Sequence, residues 1–262
     1  MGWGMEGQRP RRPFPAPILA PAGNPKGLCY VAGDPIITVP ADRLRYPDGR
    51  GYNLDEHHFL QYYRGGLHTL RQYYASHQPA NLFEYFGIET PETLAVDGYD
   101  PPWFDESQIN SPGDEKGLSR EHGNQGFGPV SEEKLRLEAA RLDRVLMSIR
   151  DRGFRPEMGG YIRGYFMLRP NGEWVFTIRE GLHRTAALVQ LGAREIDVRF
   201  HQAYPRFVEE ADARAWPMVK NARVSEEAAL GMFSQFFRPS EKRPPRTSTG
   251  PDAAGRPPLE KL

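Results

Sequence analysis

The chain of 262 residues carries 34 Lys plus Arg and 34 Asp plus Glu, so its formal charge is zero, and it holds a single cysteine. Such a balance gives no global attraction to nucleic acid or to an anionic membrane, and the lone Cys29 excludes an internal disulfide or a cysteine metal cage. No apolar run reaches the roughly 18 residues of a spanning helix, and the proline-rich stretch after Arg11-Arg12 is unlike a signal-peptide core. A cytoplasmic chain with no membrane partner is expected.

Residues 1–26, with repeated proline and glycine, read as a disordered tail, and residues 27–130 as a helical and loop-rich elaboration. Ile36-Ile37-Thr38-Val39 is the one short strand candidate among the turn signals of 28–52. Asp55-Glu56-His57-His58 contains metal-ligand types, but adjacent residues on a helix point about 100° apart, so no metal site is expected. Phe59, Tyr63, Leu67, Leu70 and Tyr74 recur at spacings of three and four, which predicts a helix with a buried aromatic face. Gly65-Gly66 interrupts that stripe, giving either two helices or a kinked one. Asn81 to Gly87 reads as a further short helix. Residues 97–130 read as a long loop. Its glycine-rich His122–Gly128 lacks the Lys-Ser/Thr ending of a P-loop, and is expected to be a connector. Ser107, Ser119 and Thr185 show no hydrolase arrangement with His and Asp.

The pattern sharpens at Ser131, which can cap a helix with Glu132 and Glu133 in its first turn and Gly153 as terminator. Leu135, Ala139, Leu142, Leu146 and Ile149 mark its buried face, while Arg136, Arg141 and Arg144 fall off it. Ile162, Gly164, Phe166 and Leu168 alternate with Tyr161, Arg163, Tyr165 and Arg169 as a strand. Pro170-Asn171-Gly172 turns the chain, and Trp174, Phe176 and Ile178 alternate in the return strand. A turn at Gly181, a helix over Thr185–Leu191 and a strand through Ile196, Val198 and Phe200 complete the segment. Residues 202–238 read as a closing segment whose helix, 225–237, is capped by Ser225; residues 239–262 read as a second disordered tail.

The segment Glu180-Gly181-Leu182-His183-Arg184-Thr185 is the candidate site. A glycine, a histidine and an arginine at a strand-to-helix turn form a plausible phosphate cradle: the helix start leaves backbone N–H groups free, and Arg184 adds forked donors. Arg163, Arg179 and Arg199 either add charge around such a pocket or form a solvated strand face.

The order helix, hairpin, Gly-x-His-Arg turn, helix, glycine, strand, carried by Ile178 to Phe200, resembles the ParB/sulfiredoxin-like superfamily, a small α+β fold, over about 131–201. The resemblance implies a nucleotide (ATP, ADP or CTP) held with Gly181 allowing close backbone approach and His183 and Arg184 on phosphate oxygens; Leu182 and Thr185 complete the binding turn. Sulfiredoxins place their reactive cysteine where this chain has Leu182, so sulfinic-acid reduction is not expected. Partition proteins follow the domain with a DNA-reading helical region, whereas one helix candidate follows here, so nucleic acid is not an expected partner. A third branch, which phosphorylates small molecules, has an acid directly before the glycine. Glu180 stands there as the candidate catalytic residue, to hold Mg²⁺ or accept a hydroxyl proton, or else to pair with Arg179 or Arg184. Two functions are thus expected to compete: binding of a nucleotide or phosphorylated small molecule, with kinase-like transfer within it, and a non-catalytic scaffold for a protein partner.

Overall fold

The computed structural model describes residues 16–90, 100–104 and 118–238. Ser107, residues 1–15 of the N-terminal tail and the tail 239–262 lie outside them. The core is a seven-stranded mixed sheet, consistent with the α+β class. Its strands are β1 (Ile18–Leu19), β2 (Ile37–Pro40), β3 (Leu44–Arg45), β4 (Ile162–Leu168), β5 (Trp174–Glu180), β6 (Glu195–Phe200) and β7 (Phe207–Glu209). The order across it is β1-β2-β6-β4-β5-β3, with β7 continuing beside β4 where β6 leaves off.

This topology corrects two expectations. The sheet is not confined to 131–201, because β1, β2 and β3 come from the first 45 residues. Nor is 1–26 wholly a tail: Ile18 and Leu19 pair in parallel with Ile37 and Thr38. The reason is that β2 covers the edge of β6 in antiparallel register, Ile37 opposite Val198 and Val39 opposite Ile196, and thereby presents a new edge to β1.

The helices are α1 (His58–Ser76), α2 (Leu82–Phe86), α3 (Glu132–Arg152), α4 (Pro156–Gly159), α5 (Leu182–Gln190), α6 (Pro217–Lys220) and α7 (Glu226–Gln235). Local chemistry explains their starts. Asn81, Ser131 and Ser225 each accept a backbone N–H three residues on, worth about 1 kcal/mol apiece. Gly66 breaks the helical path of α1 with φ 70° and ψ −159°, so the kinked form is the one adopted.

The β4–β5 hairpin is buried on both faces. Ile162, Phe166, Phe176 and Ile178 pack with α1, α3 and α5. Tyr165, Met167 and Val175 pack on the opposite side with α2, α6 and α7. The alternation expected for β4 therefore separates two cores and not a core from solvent, as a sheet covered on both sides requires. The aromatic stripe of α1 is core: Phe59, Leu70 and Tyr74 are at most 2% exposed. Among the described residues no helix is long and apolar enough to cross a membrane.

On α3 the expected apolar face holds at Leu135 and Leu142, but Lys134 and Glu138 are buried beside them. Glu138 lies three residues after Leu135 and four before Leu142, on the apolar stripe itself.

Candidate functional site

Strand β5 ends at Glu180, Gly181 makes the turn, and α5 begins at Leu182. Gly181 has φ 89° and ψ 23°, a left-handed conformation that favours glycine. A Cβ there would stand 2.9 Å from Ile162 Cγ1 and 3.2 Å from Arg184 Nη2. Its smallness therefore serves the approach of the turn to β4. The first-turn N–H groups of Leu182, His183 and Arg184 have no intrahelical acceptor, as at any helix start.

The five turn residues divide sharply. Leu182 is buried in the core. Thr185 is fully buried, and its hydroxyl donates to the Gly181 carbonyl at 3.0 Å, tying the helix start to the turn. His183 points inward. Its Nε2 lies 2.6 Å from Glu138 Oε2, and its ring stacks on Phe59 at 4.6 Å between centroids. Glu138 also meets Lys134 Nζ at 3.2 Å and Arg141 at 2.5 Å. Burial alone would raise the Glu138 carboxyl, but His183, Lys134 and Arg141 hold it down at about 2. His183 thus ties α5 to α3 through Nε2, and it also lies on the wall of the cleft around this turn.

Arg184 turns the other way, its guanidinium donating to the carbonyls of Gly159 and Gly160. Glu180 is exposed, and its Oε1 lies 3.1 Å from His201 Nε2. His201 Nδ1 accepts the Ala203 N–H at 3.1 Å, so in the neutral ring the proton sits on Nε2 and is donated to Glu180. Burial pushes the His201 pKa down, against the pull of Glu180. Neither expected partner makes an ion-pair contact with Glu180: Arg184 feels its charge from further off, and Arg179 meets Asp100 and the Tyr204 hydroxyl, both at 3.2 Å.

Around this turn lies a cleft of about 740 Å³ between the C-terminal half of α3, the short α4 and residues 179–184. Six arginines line it: Arg141, Arg144, Arg152, Arg155, Arg179 and Arg184. Arg141 and Arg179 are matched by Glu138 and Asp100. Arg144, Arg152, Arg155 and Arg184 have no carboxylate within ion-pair distance among the described residues; the hydrogen bonds of Arg152 and Arg155 go to Ser148 Oγ and the Arg152 carbonyl. Four arginines without a carboxylate partner among the described residues thus line the same cleft as one exposed carboxylate, Glu180. A charge at the C-terminal end of α3 also complements the helix dipole, but that accounts for a fraction of a charge, not four.

Of the residues expected from the turn, Glu180, Gly181, Leu182, His183 and Arg184 line the cleft, and Arg144, Arg152 and Arg155 join them from outside it. Arg163 and Arg199 lie elsewhere, both bonded to Asp34 at 2.9 Å. The glycine-rich loop is more than a connector. The Gln125 carbonyl accepts from the Tyr74 hydroxyl at 2.9 Å, and Gln125 reaches the cleft wall. His57 and His58 are fully buried and stacked 5.2 Å apart beneath Tyr46 and Tyr52. No protein-family model, no curated protein and no solved structure matches this chain.

Proposed function

We propose that this protein binds a nucleotide or another phosphorylated small molecule in the cleft at the Gly181–Arg184 turn. The observation that carries the reading is the set Arg144, Arg152, Arg155 and Arg184, four guanidiniums lining one cleft without carboxylate partners among the described residues. Guanidinium forks match phosphate oxygens in geometry and charge. The free N–H groups at the start of α5 add donors at the same place. The chain order α3, β4–β5 hairpin, Gly181 turn, α5, β6 supports treating 131–201 as a divergent ParB/sulfiredoxin-like unit. ATP, ADP and CTP are the first ligands to try, with and without Mg²⁺. Arg184 is the contact residue, and His183 acts by holding α5 in place.

Thermal unfolding with each nucleotide tests this. A ligand of the cleft raises the melting temperature in proportion to RT ln(1 + [L]/Kd), and Arg184→Ala removes the rise. A rise that survives Arg184→Ala, or none with any phosphate compound, contradicts the reading.

Phosphoryl transfer is a second reading, favoured by one observation: Glu180 is exposed at the cleft edge and oriented by the His201 Nε2–H. A carboxylate so placed can accept the proton of an attacking hydroxyl. Glu180→Gln then keeps binding and abolishes turnover. Loss of binding with Glu180→Gln would assign it to the ligand contact alone.

A further inference from the structure

Resting on the anion-binding reading of the cleft, we infer that the cleft carries an apolar subsite centred on Met158, and that its ligand joins a phosphate group to an aromatic or similarly flat apolar group. The cleft wall is not only cationic. Val145 and Ile149 on α3, with Phe154, line the cleft together with the arginines. Met158 lines it too and is 82% exposed. A lone exposed methionine on a convex surface needs no explanation. One that lines a cleft together with arginines lacking carboxylate partners does, because a polar phosphate ligand alone would leave it wet.

The segment that carries Met158 is built to present it. Helix α4 is a single turn bounded by Gly153 at φ 74° and Gly160 at φ 82°. It is tied to the site by Arg184, which donates to the carbonyls of Gly159 and Gly160. The residue that contacts the phosphate therefore also sets the position of Met158. A thioether adapts to flat ring surfaces and makes favourable sulfur–aromatic contacts. The ligand's charged end then lies toward Arg144, Arg152 and Arg184, and its apolar group lies against Met158, Val145, Ile149 and Phe154.

Equal-charge probes separate this subsite from the anion site. NMR titration of the full chain with 2-naphthyl phosphate and with methyl phosphate gives two affinities that differ only in the apolar group. The subsite predicts that 2-naphthyl phosphate binds at least about tenfold tighter. It predicts that Met158→Ser brings the two within about threefold while methyl phosphate affinity is unchanged. Equal affinities in the wild-type chain, or a preference that Met158→Ser leaves intact, overturn the subsite and leave the anion site standing. If neither probe binds and pyrophosphate does not bind either, the anion site itself fails and the subsite with it. Loss of both affinities in Met158→Ser, with the fold intact by its amide spectrum, makes Met158 part of the anion site and overturns the separate subsite.

Discussion

Two regions of this molecule handle arginine in opposite ways. Beneath the N-terminus of α1, Arg50 is buried, its Nε 2.7 Å from Asp48 Oδ2, with the Tyr46 and Tyr73 rings against its guanidinium. In the cleft, Arg144, Arg152, Arg155 and Arg184 line open space and meet no carboxylate among the described residues. Both regions gather cationic side chains, and only one has matched them. A charge taken out of water needs a partner and costs several kcal/mol without one. A charge left at the surface of a cleft costs little and remains ready for an anion. The difference separates an arginine whose charge is matched inside the fold from arginines that line a cleft with no carboxylate partner among the described residues.

The comparison breaks most visibly if the buried pair is cut. Asp48→Asn leaves the Arg50 charge buried without its counter-ion and should cost about 3–5 kcal/mol, read as a lower urea midpoint. A loss below about 1 kcal/mol would mean that the pair is no more essential than a surface ion pair.

Acid should act on the buried polar groups next. Glu138 titrates at about 2 in the folded chain against an ordinary 4.5. A depressed carboxyl pKa contributes stability that is complete above the unfolded value and disappears as pH falls from 4.5 toward 2. That loss amounts to about 3 kcal/mol, and Glu138→Gln should flatten it in urea titrations run across this window. His57 and His58 act at higher pH. Burial is the first cause, and the Arg50 charge the second, that pushes both imidazoles well below 6.5. Folded, they stay neutral where the unfolded chain takes up protons, so stability should begin to fall as pH drops below 6.5. A stability that is flat between pH 7 and 5 contradicts their burial.

The smallest effect on stability falls in the cleft, where it sharpens the contrast. Arg144→Ala and Arg155→Ala should leave the urea midpoint within about 0.5 kcal/mol of the parent while each weakens ligand binding. A large destabilisation would show that these arginines serve the fold after all.

Much of this arrangement is written locally in the sequence. Ser131 and Gly153 bound α3, Pro170-Asn171-Gly172 turns the hairpin, and Gly181 separates β5 from α5, because caps and turns depend on a few adjacent residues. The joining of β2 and β3 to the sheet was not legible, since pairing across more than a hundred residues leaves no short-range pattern, and β1 joins only through the edge that β2 presents. Glu138 was hidden by its charge. Its spacing from Leu135 and Leu142 put it on the buried face, and Lys134 and Arg141 stood at the helical distances that could satisfy it. In the site, Arg184 and Glu180 were readable from the turn itself. Arg152 and Arg155 were not, because only the packing of α3 against α5 brings them to the same cleft. His183 and Arg184, adjacent in sequence, bond different elements, His183 to Glu138 on α3 and Arg184 to the carbonyls of Gly159 and Gly160, a split that sequence adjacency does not reveal.

Calorimetric titration with pyrophosphate tests whether the cleft arginines form an anion site, without assuming a base. Saturable 1:1 binding that weakens steeply with added salt and is lost in Arg184→Ala, whose fold stays intact, is the expected outcome. Binding that is absent in the parent chain, or equal in the Arg184→Ala variant, would contradict it.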